Sequence, residues 1–354
     1  MSKMPISVCI IAKNEEKYIE ECLKKLQPYG FEIVVADTGS TDNTKDIALK
    51  YADKVVDFEW VNDFSAARNF CASHASNNWI LAIDCDEYIE SVNTRILRVQ
   101  MQQKPKEVGV IRMKNIQMRK NGELGYSMDD LPRLYNRNYY TYDKPIHEQI
   151  VHKKNDIDEL QGFLMPMEVI HHGYAIEGED MVKKQERNLE ILYAGIEQEP
   201  DNPYYYFQTG CSLQVLKRYE EAVAMYEKGL SFNPSADRTY VIEMITSLAN
   251  VYVELNRKAD ALELMERYAP MCNKAAFSYA HANILLENDQ PLKAVMHYLK
   301  TTMMKDANTL GEKLLTCYAR IISIYQQTGN DDMAQMFEQK YLECRAELER
   351  IINK

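Results

Sequence analysis

Asp84-Cys85-Asp86-Glu87 follows directly on an apolar run, residues 79–83. Two carboxylates in an i, i+2 relation on an extended loop can turn toward one ion. A hard divalent cation takes such oxygens and keeps positions open for phosphate oxygens. The chemistry served is departure of a charged group such as a nucleoside diphosphate, whose growing negative charge a metal offsets. The triplet alone also suits a solvated acidic loop. Its place at the C-terminal end of a strand weighs toward function, because open α/β sheets bind ligands there.

A second signal is Asp37, at the end of the strand-like run 32–36 and within Asp37-Thr38-Gly39-Ser40-Thr41-Asp42. A carboxylate there can accept a hydrogen bond from a base N–H, while Ser40 and Thr41 are of the type that caps a following helix. A third is Arg68, in Asn62-Asp63-Phe64-Ser65-Ala66-Ala67-Arg68-Asn69. A guanidinium fork matches phosphate geometry, although the spacing equally fits a surface arginine on an amphipathic helix.

The elements that must position these residues are legible. Residues 6–12 form a continuous β-prone run, as in a buried parallel strand. Asn14 is placed to cap the next helix, with Glu15 and Glu16 in its first turn, Lys24 and Lys25 in its last, and Ile19, Cys22, Leu23 and Leu26 on its apolar face. Strands follow at 32–36, 55–56 and 79–83, with helices between, including one over 64–75. This predicts a parallel βαβαβαβ sheet. Residues 108–172 change to short strands, with Asn121-Gly122 as a hairpin signal, and should add antiparallel strands.

From Gly178 the pattern is helical throughout. Residues 202–235 match a helix–turn–helix repeat of about 34 residues, with Tyr206, Gly210, Ala222, Tyr226 and Pro234 at its aromatic, small and Pro positions. Ala261, Ala294 and Ala334 recur in the place of Ala222, with Met265, Tyr298 and Phe337 about one turn on. About four tetratricopeptide-like units are expected, since an isolated unit cannot bury its apolar faces.

Composition narrows the function classes. The chain has 354 residues, enough for two domains, and a net charge of −11, which is not that of a phosphate-backbone binder. No nucleic-acid partner is expected. With 13 Gly and 11 Pro, long flexible linkers are not expected either. The eight cysteines include no CxxC pair, so a zinc site is not expected, and scattered apolar thiols suit a reducing compartment. The first five residues lack a signal-peptide layout and no apolar run reaches membrane length. The expected location is cytoplasmic.

Taken in order, residues 7–26, 34–47, 63–69 and 84–87 resemble the hallmarks of family 2 glycosyltransferases of the GT-A fold. The resemblance covers residues 5–175. Residues 62–69, Arg133-Leu134-Tyr135-Asn136-Arg137, Ile146-His147-Glu148 and His171-His172-Gly173-Tyr174 are further similar to the sublancin-type peptide S-glycosyltransferases, which modify Cys or Ser of bacteriocin precursors. The resemblance implies an α/β GT-A (Rossmann-like) mixed-sheet domain over residues 1–178, followed by an all-α unit of helical linker and repeats over 179–354. It implies inverting transfer from a UDP-sugar, with Mn²⁺ or Mg²⁺ required. Ala12, Asn14 and Glu15 would line the nucleoside pocket and Asp37 would contact the base, most often uracil. Arg68 would face the diphosphate. Asp84 would lie near ribose and metal, Asp86 would be the direct ligand, and His171 would close the metal or diphosphate site.

An inverting transfer also needs a base to take the acceptor's proton. Glu148, with His147, falls where this branch has its His-Glu pair; the alternative is that the two pin a loop by hydrogen bonds. Asp129 and Asp130 are rival bases. His172 reads as a strand neighbour of His171, and His74, His281 and His297 as structural. Tyr204, Tyr205 and Tyr206 either bind a peptide acceptor or form repeat core, with the tail then serving homodimerisation. The acceptor expected is a peptide Cys or Ser side chain, the alternatives being a cell-surface glycan or a lipid. Two other readings rank lower: a degenerate sugar-nucleotide-binding scaffold, and a nucleotidyltransferase, whose Gly-rich basic loop Lys13-Asn14-Glu15-Glu16 does not supply.

Overall fold

The computed structural model describes residues 3–118, 124–154, 160–172 and 179–352. The chain forms two compact units, Met1–Met181 and Val182–Lys354. No helix among the described residues is long and apolar enough to cross a membrane.

The first unit is a mixed sheet. Strands β1 (Ile6–Ala12), β2 (Glu32–Asp37), β3 (Lys54–Asp57) and β4 (Trp79–Ala82) run parallel in the order β3-β2-β1-β4. Helices α1 (Ile19–Leu26), α2 (Thr44–Tyr51) and α3 (Phe64–Ser73) make the crossovers. β1 has no polar alternation because both of its faces are covered. Ile6, Val8 and Ile10 join a core cluster with α1, whereas Cys9 joins a second cluster with Cys71 and Ala72 of α3. Fully burying an aliphatic side chain of this size contributes about 1.5–3 kcal/mol, so β1 anchors the unit.

After β5 (Glu87–Val92) and α4 (Thr94–Gln103), the strands are β6 (Val108–Met118), β7 (Leu124–Asn136), β8 (Tyr140–Asp143), β9 (Gln149–His152), β10 (Gly162–Leu164) and β11 (Met167–His171). β7 runs antiparallel to both β4 and β6, and β11 antiparallel to β5 but parallel to β6. The expected antiparallel extension is present. Its two central strands are long rather than short, at 11 and 13 residues, because β6 and β7 pair with each other along almost their whole length. The predicted turn at Asn121-Gly122 lies outside the described residues.

Helix α5 (Glu179–Gln198) leads into the second unit. Four antiparallel helix pairs follow: α6 (Pro203–Val215) with α7 (Tyr219–Ser231), α8 (Thr239–Glu254) with α9 (Lys258–Tyr268), α10 (Ala275–Glu287) with α11 (Pro291–Met303), and α12 (Glu312–Gln327) with α13 (Asp331–Ile352). The repeat residues explain the pairing. Ala222, Tyr226, Ala261, Met265, Ala294 and Tyr298 are all 0% exposed. Gly210 lets the Tyr226 ring lie against its backbone: a Cβ there would stand 2.4 Å from a ring carbon. The small residue on one helix is thus the seat for the aromatic on its partner, and the unit is a tetratricopeptide-like array.

Candidate active site

The C-terminal ends of β1, β2 and β4 carry the residues singled out above. Ala12 is paired with Asp37 across the parallel ladder, and its carbonyl accepts from both the Thr38 N–H and the Thr38 hydroxyl. The β1 and β2 loops are then joined side by side. Asn14 donates its N–H to the Ser40 hydroxyl at 3.0 Å and accepts from the Thr41 N–H at 2.8 Å, while the Glu15 N–H donates to the Thr44 hydroxyl at 2.7 Å. Two capping expectations are corrected here. Asn14 has φ +57° and does not cap α1, which begins at Ile19. Ser40 and Thr41 turn to Asn14 rather than to α2, whose first N–H is received by Asp42. The side chains make the loop–loop seam instead, a partner no local pattern reveals.

Asp37 is 5% exposed. Its Oδ2 accepts from the N–H groups of Gly39 and Ser40, a tight turn for which Gly39 supplies φ +97°. Its Oδ1 is buried and has no hydrogen-bond partner. An acceptor left in that condition costs about 1–3 kcal/mol, which a donor from outside the chain would relieve.

Arg68 is not a surface residue. It lies 6% exposed on α3, whose N-terminus is capped by Asp63 and whose Asn69 side chain bonds the backbone of Tyr142 in β8. From there its Nε donates to Glu148 Oε1 at 2.6 Å and its Nη2 to Asp84 Oδ1 at 2.8 Å, with the Tyr142 ring beside the guanidinium at 5.4 Å. Arg68 Nη1 and the Tyr142 hydroxyl are buried without partners. One guanidinium therefore joins carboxylates 64 positions apart in sequence. His147, next to Glu148, has φ +52° and is solvent-exposed, so the structure gathers Glu148 into the cluster and turns His147 outward.

Two participants had no assigned role in the sequence reading. Arg133, on β7, donates through Nη2 to Asp84 Oδ2 at 3.2 Å and to Glu87 Oε1 at 2.5 Å. Glu87 is 2% exposed, and its Oε2 accepts the Asp84 N–H at 3.0 Å. Burial pushes the Glu87 carboxyl up to about 7 against the pull of Arg133. Burial also raises Asp84, but Arg68 and Arg133 outweigh it and hold that carboxyl well below the usual range. Both Asp84 oxygens are thus engaged by arginine.

Asp86, two residues on, has a different partner. Its Oδ2 lies 3.2 Å from Nε2 of His171, which arrives on β11, and its carbonyl accepts the His172 N–H. Burial lowers the His171 pKa, yet the bond to Asp86 and the nearby carboxylates raise it above its usual value. His172 packs its ring on Tyr88 at 4.5 Å. Of the rival bases, Asp130 pairs with Arg112 and Asp129 accepts from Asn115.

Residues 7–153 match the family model described as Glycosyl transferase family 2. Over 298 residues, 82% of this chain and 69% of the relative, the sequence is 27% identical to the SPbeta prophage-derived glycosyltransferase SunS of Bacillus subtilis. It is 29% identical over 208 residues to a TPR repeat-containing protein of Synechococcus elongatus, covering 56% of this chain and 50% of that one. It is 30% identical over 99 residues to the lipopolysaccharide core biosynthesis glycosyltransferase LpsC of Rhizobium meliloti, covering 27% and 36%. Residues 7–153 thus carry the match to family 2 glycosyltransferases, and the chain continues from them into tetratricopeptide-like repeats.

Proposed function

We propose that the chain is an inverting, divalent-cation-dependent transferase that moves a sugar from a UDP-sugar to a Cys or Ser side chain of a peptide. The observation that carries this reading is the convergence of Asp84, Asp86, Arg68, Glu148 and His171 at the strand ends, drawn from four separate segments. Asp37 Oδ1, buried and unpartnered, is suited to the N–H of a uracil. Arg68 Nη1, also buried and unpartnered, is suited to a diphosphate oxygen.

At Asp86 the carboxylate oxygen suits Mn²⁺ or Mg²⁺, and the imidazole nitrogen of His171 favours Mn²⁺ of the two. Among the described residues no third His, Cys, Asp or Glu joins them as a preformed cage. Diphosphate oxygens and water would take the remaining positions. When bound, the cation would neutralise charge on the departing UDP. Asp84, clamped by two guanidiniums, holds the loop from which Asp86 projects.

In the transfer step the acceptor sulfur or oxygen attacks the anomeric carbon from the face opposite UDP. The bond from that carbon to the β-phosphate oxygen breaks, and its electron pair leaves with UDP. Glu148 takes the acceptor's proton, while Arg68 keeps that carboxylate aimed at the donor site. A thiol needs less help, because it ionises near neutral pH. The peptide acceptor rests on the similarity of residues 62–69, 133–137 and 146–148 to the sublancin-type enzymes. A glycan acceptor is the second reading, favoured by the similarity to LpsC. The repeats are assigned to holding the acceptor.

The test is transfer from a panel of UDP-sugars to a Cys-containing peptide, its Ser analogue and an oligosaccharide. Glu148→Gln should lower turnover by two to four orders of magnitude with the Ser peptide, and less with the Cys peptide. Equal turnover by Glu148→Gln and the unaltered chain on the Ser peptide would remove Glu148 as the base.

A further inference from the structure

We propose that Asn115 and Asp129 are positioning residues that fix the tautomer of His171, presenting Nε2 to Asp86 as a lone pair and so shaping the pair to close on a divalent cation. This rests on the reading of Asp86 and His171 as the cation's ligands.

Donors and acceptors alternate along one chain of contacts from Asp129 to Asp86. Asn115, on β6, is 1% exposed. Its Nδ2 donates to Oδ2 of Asp129, on β7, at 2.6 Å. A carboxylate can only accept, so the amide cannot be turned the other way. Asn115 Oδ1 therefore faces His171 Nδ1, at 3.0 Å. A carbonyl oxygen also only accepts, so Nδ1 must carry the hydrogen. In the neutral ring Nε2 is then a lone pair, and it stands 3.2 Å from Asp86 Oδ2. Two acceptors at that separation repel unless an electrophile, a proton or a cation, lies between them.

Two features make this a property of the scaffold. His171 and Asn115 are partners in the parallel β11–β6 ladder, so sheet register rather than a loop sets their contact. Both Asp86 and His171 keep only about a fifth of their side chains exposed, 22% and 21%, which leaves a small opening toward the ligand side. An imidazole whose far nitrogen is held by an amide or carboxylate is the arrangement that orients metal-ligating histidines. Asp129 thereby has a role distinct from that of a rival base.

Two readouts on the full-length chain test this. The first is the ¹⁵N NMR signature of the His171 ring without metal, at alkaline pH where the ring is neutral. The second is Mn²⁺ affinity in the presence of UDP, from the electron paramagnetic resonance signal of free Mn²⁺. The unaltered chain should show the Nδ1–H tautomer. Asn115→Leu should mix the tautomers and weaken Mn²⁺ about tenfold or more. Asp129→Ala, an exposed change that keeps the sheet pairing, should weaken it severalfold by letting the amide turn. An Nε2–H tautomer in the unaltered chain, or Mn²⁺ affinities in both variants within twofold of it, would overturn the proposal. If the unaltered chain takes up no Mn²⁺ with UDP, the cation half falls with the reading beneath it. The ring spectrum then decides alone whether Asn115 sets the tautomer.

Discussion

The two units bury polar groups in opposite ways. In the sheet unit, Asp37, Arg68 and Glu87 are all at least nine-tenths buried, and Asp84, Arg133 and Glu148 join Arg68 and Glu87 in one ionic cluster. In the repeat unit the buried polar residues among the described ones are Asn188, Thr209, Ser212, Ser278, His281 and Thr301, and no Asp, Glu, Arg or Lys is among them. Removing a charge from water costs several kcal/mol, and a hydrophobic replacement often serves stability as well. A fold therefore has no structural reason to concentrate such groups. The repeats show the alternative, with tyrosine, alanine and methionine filling the space. Where the ionic cluster sits, the chain accepts a cost that its other half avoids, and it does so at the strand ends.

The largest effect expected from this contrast is at Arg68. Arg68→Met would leave Glu148 and Asp84 facing each other with one guanidinium fewer and should cost about 3–5 kcal/mol in denaturant unfolding. Adding Glu148→Gln should recover part of it, because one uncompensated charge is removed. A loss below about 1 kcal/mol would mean that the cluster is solvated rather than buried.

The corresponding weak point of the repeats is steric. Gly210→Ala places a methyl group 2.4 Å from a Tyr226 ring carbon, with the ring 0% exposed and unable to retreat. We expect a loss of about 1–3 kcal/mol, read from the same unfolding curves. An unchanged midpoint would show that the α6–α7 seat can widen.

The smallest effect concerns His281, a buried imidazole of the repeats. The His281 ring lies tilted against that of His297 with centroids 4.2 Å apart, and neither of its nitrogens has a hydrogen-bond partner. Burial first, then His297 and Lys300, pushes its pKa down to about 4. The folded chain therefore stays unprotonated at this ring while the unfolded chain takes a proton near pH 6.5. Stability from this group is complete above about 6.5 and is lost as pH falls toward about 4, roughly 1 kcal/mol by pH 5.5. His281→Leu should flatten that part of the stability profile. Parallel profiles for variant and unaltered chain would contradict the assignment.

The same contrast explains what could be read before the structure. β1 to β4 were legible because each is an apolar run ended by a polar loop, and the repeats because Gly210, Ala222 and Tyr226 keep a fixed spacing. Asp84 and Asp86 stood out as neighbours in sequence. Arg133 and Glu87 did not, since their pairing depends on β7 inserting antiparallel beside β4, which no local pattern specifies. Asn14 misled because Asn at a strand–helix junction is usually a cap, and its actual partner, Thr41, lies 27 residues away. Arg68 could be weighed only as a phosphate binder or a surface residue. Its bond to Glu148 spans 80 residues and follows from α3 packing against β8.

The proposed role of Asp86 is to hold a cation that makes the strand ends competent for UDP. Calorimetric titration of UDP into the full chain, with Mn²⁺ and then with excess EDTA, tests it most directly. Metal-dependent heat is expected for the unaltered chain and its loss in Asp86→Ala, with the variant's unfolding midpoint preserved. UDP binding of equal strength in EDTA, or in Asp86→Ala with Mn²⁺, would contradict it.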